Sequence, residues 1–175
     1  MQFKVIILSF FSLITFLIAS PLSAQNPPMT DEEFEKEYQK RITKEVIAGV
    51  YIPFDIDDAF NEFKRLTEPN DLDRFKAANE DSVAVRLHFG IGRWMIYNWG
   101  FYQGSRLSHH LKELGLSFPD DMAQFLIVMF HRKLNNQDLQ ILQQVEFYQK
   151  KRLAESEKRK SEKKVIESFK RKKIQ

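Results

Sequence analysis

The 175-residue chain contains no cysteine. That excludes a disulfide scaffold, a thiol nucleophile, a cysteine-ligated zinc site and a lipidated cysteine anchor. Glycine and proline number only six each, too few for a collagen-like or low-complexity chain. No segment alternates apolar and polar residues over five positions with a β-branched bias, so strands have little support. No internal repeat is visible, and the nucleophile-elbow pattern Gly-x-Ser-x-Gly is absent. What is present is 43% hydrophobic and 13% aromatic. That is enough to bury a core and excludes a wholly disordered chain.

Lys4 is the only charged residue before Asp31. It precedes an apolar and hydroxyl stretch from Val5 to Ala19, then Ser20-Pro21-Leu22-Ser23-Ala24. This is the layout of a secretory signal peptide over residues 1–24, with cleavage expected after Ala24. The alternative is an uncleaved anchor. The stretch of 15 residues falls short of the roughly 20 that cross a bilayer. No later stretch approaches that length, so the mature chain is expected without a transmembrane helix, in the periplasm or outside the cell. Residues 150–175 hold 12 Lys/Arg and 4 Asp/Glu, a net of +8, which leaves −6 on residues 25–149. The mature chain thus reads as an acidic body with a basic tail.

The body reads as helices, and the expected fold is all-α. It is a single bundle of about five to six helices with a long basic C-terminal helix. Residues 25–49 read as a linker and an amphipathic helix. Thr30 and Glu33 form a capping box, Phe34, Tyr38, Ile42 and Val46 form a stripe, and Gly49 is the stop. Asp55 caps a second helix with Ile56, Ala59, Phe60, Phe63 and Leu66 inward. Leu72–Ala78 reads as a short helical turn. A helix from Asp81 is interrupted by Gly90 and Gly92. Ser105 caps the next helix, which carries Leu107, Leu111 and Leu114. Pro119 opens a helix that is apolar nearly all round and therefore central. The last helix is expected from near Gln137.

Within residues 50–149 an ordered set of motifs stands out. These are Gly90-x-Gly92-x-Trp94, Asn98-Trp99, Ser105-x-Leu107 and Pro119-Asp120-Asp121-Met122. Together they resemble a family of uncharacterised bacterial proteins catalogued as a domain of unknown function. That pattern has arginine directly before the asparagine, where this chain has Tyr97. Arg93 or Arg106 can supply a cation instead. The resemblance implies a domain boundary and brings no activity, substrate or cofactor.

Candidate chemistry is sparse. His88, His109, His110 and His131 lack the i, i+3 or i, i+4 pairing of a helical metal site, so no metal is expected. Ser105 and His109 are four apart, yet N-capping accounts for Ser105. Asp120 and Asp121 are an acidic pair at a helix start. They serve the helix dipole, an ion pair to Arg93 or Arg106, or acid/base work if burial splits them. Gly90-x-Gly92 lacks the third glycine and the βαβ setting of a dinucleotide site. Trp94, Tyr97, Trp99, Phe101 and Tyr102 form an aromatic run with Arg93, Asn98, Ser105 and Arg106 among them, and a binding pocket is expected there. The tail from Lys150 to Lys173 reads as a solvated helix with pairs Glu155–Arg159 and Glu167–Arg171, or as a contact for an anionic surface.

Two classes of function remain. The first is a secreted, non-catalytic interaction or structural module, with an unknown protein or envelope component as partner. The second is an envelope hydrolase or small-ligand binder near Trp94, Trp99, Asp120 and Asp121, with His109 or His88 assisting. Export argues against nucleic acid as a partner, and no cofactor is implied.

Overall fold

The computed structural model describes residues 30–172. The expected signal peptide, residues 1–24, and residues 173–175 lie outside the described residues. Helix α1 (Asp31–Arg41) starts at the Thr30–Glu33 capping box, in which the Glu33 backbone N–H donates to the Thr30 hydroxyl at 3.2 Å. It ends five residues earlier than the Val46 stripe implies. Val46–Ile47 (β1) and Val50–Tyr51 (β2) instead form an antiparallel hairpin, with Val46 opposite Tyr51 and Ile47 opposite Val50. Ala48 and Gly49 both have positive φ, +49° and +80°. That matches the right-handed twist of a two-residue hairpin turn, so Gly49 turns a hairpin and does not stop a helix. Only Tyr38 of the expected stripe is fully buried.

Helix α2 (Ile56–Leu66) is capped by Asp55, whose carboxylate accepts from the Asp58 N–H at 2.8 Å. Ile56, Ala59, Phe60 and Phe63 are buried, while Leu66 is exposed and does not face inward as expected. Pro69 both breaks α2 and opens α3 (Pro69–Lys76), where proline lacks an N–H that would be unsatisfied anyway. The expected turn is therefore a two-turn helix. Next come α4 (Glu80–Leu87), a π-helical turn (His88–Gly92) and α5 (Arg93–Asn98), run together without a break. The glycine interruption takes this form: a widened turn within one helix.

Helix α6 (Arg106–Glu113) follows the Ser105 cap, and α7 (Pro119–Leu134) follows Pro119 at its first position. Ten of the sixteen residues of α7 are buried. It touches α2, α3, α4, the π turn, α5, α6 and α8. It is the central helix, as its all-round apolarity requires. Asn136, at φ +54°, turns the chain after it. The last helix, α8 (Ile141–Lys172), begins four residues later than expected. With α4 to α5 taken as one, the described residues form seven helices and one short hairpin, an all-α fold.

The core runs along α7. Phe130 stacks on Phe60 at 5.8 Å and on Phe75 at 5.5 Å, and Phe63 lies between Phe130 and Trp99, at 4.9 Å and 5.2 Å. Such offset aromatic pairs each add about 1 kcal/mol beyond the area they bury. Helix α1 docks differently. The Tyr38 ring lies where a Cβ on Gly104 would come within 2.2 Å. Gly104 is also at φ +90°, so glycine is required there twice over. Arg41 Nε donates to the Gly104 carbonyl at 2.9 Å.

Candidate functional site

A wide apolar concavity opens between α3 and the α4–π-turn junction. It is a groove of about 460 Å³, within the roughly 300–1,000 Å³ of small-molecule pockets. Buried Phe63, Ile127 and Phe130 form its floor. Half-buried Leu72 and Phe75 form one wall, and Leu87 and Ile91 the other. Thr67, Asp71, Arg74 and Arg86 supply its polar groups, all but Thr67 exposed.

Local chemistry builds each wall. Helix α3 has eight residues, none buried, and no side-chain cap at its start. Its far end is held: Asn135 Nδ2 donates to the Lys76 carbonyl at 3.1 Å, and His131 Nε2 lies 2.9 Å from the Ala78 carbonyl. Phe75 meets the edge of His131 at 5.6 Å. Glu80 lies beneath this joint. Arg132 donates to it at 2.6 Å and 3.0 Å, which holds the Glu80 carboxyl below its ordinary range against the opposing effect of burial. The opposite wall includes the π turn, a feature that concentrates at functional sites. Arg74 is paired with Asp71. Arg86 has no carboxylate partner among the described residues.

The residues singled out in the sequence lie elsewhere, and most are engaged in holding the fold. Ser105 is fully buried and caps α6, its hydroxyl accepting from the Ser108 N–H at 3.3 Å. The His109 backbone N–H donates to the Ser105 carbonyl at 2.8 Å, as the helix requires, but its ring bonds elsewhere. Its Nδ1 lies 2.9 Å from the Tyr38 hydroxyl and its Nε2 lies 3.6 Å from Glu113. Arg106 donates to the Ile52 carbonyl at 2.6 Å and lies over Tyr51, 5.1 Å from the ring centroid. It braces the hairpin against α6. Tyr51 in turn donates to Asp58 at 2.7 Å, a bond that raises the Tyr51 pKa. Asn98 donates to the Trp94 carbonyl at 2.9 Å, within its own helix.

Trp99 is fully buried, with its indole N–H unpaired, and Trp94 packs edge-on to it at 5.6 Å. Arg93, Tyr97 and Tyr102 are exposed. The aromatic run is therefore split between core and surface, and the large groove lies on Phe63, Phe75 and Phe130 instead of on the tryptophans. Its short-helix wall was visible in the sequence only as Leu72 and Phe75, three apart after a proline.

The two aspartates separate. Asp120 is partly exposed and its Oδ1 lies 3.1 Å from His88 Nε2. This is the one pairing of the proposed catalytic residues that the fold makes, and neither residue lines the groove. Asp121 is 1% exposed and is bound by Arg152 from α8, with Nε–Oδ2 at 2.5 Å and Nη2–Oδ1 at 2.7 Å. Neither Arg93 nor Arg106 is its partner. Arg152 also lies 4.3 Å from the Phe118 ring centroid and bonds Glu155 at 3.0 Å. So Glu155 pairs backward with Arg152, not forward with Arg159. Tyr148, buried beside this clamp, has its phenol pKa pushed up by burial. From Glu157 to Lys164 every residue of α8 is exposed, consistent with a solvated basic helix.

Among the described residues no cluster of His, Asp and Glu could hold a metal ion, and no helix is long and apolar enough to cross a membrane. No curated protein and no solved structure matches the chain. Residues 52–134, from the Ile52 brace of Arg106 to the end of α7 and including every groove residue, match the family model described as Domain of unknown function (DUF6794), an uncharacterised family of the kind the motif order implies.

Proposed function

We propose that the chain is an exported, non-catalytic binding module whose ligand site is the apolar groove between α3 and the π turn. One observation carries this reading: a groove of about 460 Å³ floored by Phe63, Ile127 and Phe130, in a chain whose candidate catalytic groups are mostly spent on caps and braces. Apolar concavity with a few polar groups at its edge is the usual form of a small-molecule site. Export is supported by the residue pattern of 1–24.

The test is titration with a neutral apolar probe, 1-dodecanol, followed by calorimetry. Saturable binding with one site per chain is expected, and Leu72→Trp, which fills one wall, should abolish it. Absence of saturable binding to the wild type would overturn the reading. For export, the mass of the chain recovered from the cell envelope should correspond to a start at Gln25.

The second reading is hydrolysis, favoured by the His88–Asp120 pair at 3.1 Å. A carboxylate that orients histidine is half of a general-base system. Turnover of simple esters that is lost in His88→Gln would support it over the binding reading.

A further inference from the structure

We infer that the groove takes a single-chain amphiphile with an anionic head, its chain against Phe63, Phe75 and Phe130 and its head on Arg86. This rests on the groove being a ligand site, as proposed above, and adds what the ligand must carry.

The charge arrangement argues for it. Arg86 lines the groove, is exposed, and has no carboxylate partner among the described residues. Arg74, the other cation there, is already paired with Asp71. Among the described residues Asp71 is the only carboxylate lining the groove, and Arg74 already competes for it. A guanidinium offers a planar fork of donors that fits a carboxylate or a phosphate through two bonds.

The shape argues in the same direction. The floor and both walls are apolar or aromatic, and the three charged residues that line the groove, Asp71, Arg74 and Arg86, are exposed. That matches one chain lying in the groove with its polar end outward. A volume of about 460 Å³ suits a small molecule better than a folded partner, whose interface would spread over about 800 Å² of surface. The α3 wall is fixed at its C-terminal end by Asn135 and His131, while its N-terminal turn carries no side-chain cap. Displacement of that turn would let an elongated chain enter beside Leu72.

The experiment compares four probes: dodecanoate, dodecyl phosphate and dodecyltrimethylammonium below their micellar concentrations, and 1-dodecanol below its solubility limit. Each is titrated into the wild type, Arg86→Gln, Arg86→Lys and Leu72→Trp. Thermal unfolding of each variant checks that it is folded. At least one anionic probe should bind about tenfold more tightly than dodecanol, as expected for a charge-assisted pair. Which one does so distinguishes a carboxylate from a phosphate head. Arg86→Gln should remove that advantage and leave dodecanol unchanged, and Arg86→Lys should keep part of it. Leu72→Trp should abolish binding of all four.

Equal binding of the anionic and neutral probes, or tightest binding of the ammonium probe, would overturn the head assignment while leaving the groove reading intact. So would a uniform loss for all probes in Arg86→Gln. Failure of every probe with the wild type would overturn both.

Discussion

Replacing Arg152 by alanine should destabilise the chain by about 3 kcal/mol, at the lower end of the about 3–5 kcal/mol for breaking a buried ion pair. The structure sets where in that range the loss falls. Asp121 is 1% exposed, and both of its oxygens accept from Arg152, at 2.5 Å and 2.7 Å. Removing the guanidinium strands a carboxylate in a poorly solvated place. Two features soften the effect. Lys151 Nζ remains 3.9 Å from Asp121, and a cavity of about 200 Å³ borders the pair and can admit water to the carboxylate. Loss of the Phe118 contact acts in the opposite direction. For a chain of this size the midpoint of thermal unfolding should fall by about 6–12 °C, at about 2–4 °C per kcal/mol. Urea unfolding of the wild type, Arg152→Ala, Asp121→Asn and the double variant measures it. The double variant should recover much of the loss, because no lone charge stays buried. A loss under about 1 kcal/mol in Arg152→Ala, or strictly additive single losses, would show that the clamp is a solvated surface pair and refute the reasoning.

Gly104→Ala should cost at least about 1–2 kcal/mol for left-handed backbone, and its Cβ would collide with the Tyr38 ring. Limited proteolysis should then cut α1 faster than in the wild type while the core resists. The Glu80 carboxyl pKa is held down chiefly by its hydrogen bond from Arg132. Its contribution to stability is therefore present above the ordinary carboxylate range and lost as pH falls through the lowered folded value. Glu80→Gln should flatten the acid limb of a stability-versus-pH curve below about pH 4.5, and an unchanged limb would remove Glu80 from the account. Ser105→Ala removes a fully buried N-cap and should lower stability by about 1 kcal/mol, read from denaturant midpoints.

The helix starts were legible because their chemistry is local. Thr30, Asp55, Ser105 and Pro119 each act within one turn of where they stand. The central place of α7 was legible from its all-round apolarity. The hairpin was legible only in its second strand, where Pro53 favours extended backbone over Val50–Ile52; its first strand was not, because Phe34, Tyr38, Ile42 and Val46 keep a helical spacing up to it. Only the paired positive φ of Ala48 and Gly49 distinguishes the outcome, and backbone angles are not written in residue spacing. The groove was missed for a related reason. Phe63, Leu72, Leu87 and Phe130 come from four elements, and each reads alone as an ordinary core residue. The partner of Asp121 was missed because charge composition placed residue 152 in a tail. Net charge describes a segment's field and says nothing of a single guanidinium folded back onto the body.

The groove between α3 and the π turn is the proposed working site. The most direct measurement is an amide-resolved NMR titration of the chain with dodecanoate. That placement predicts saturable shifts over Thr67–Ala78 and Val83–Ile91, with Phe130 moving and Asp120 and Trp99 still. Shifts centred on Trp99 and Asp120 with a still α3, or none at any concentration short of micelles, would contradict it.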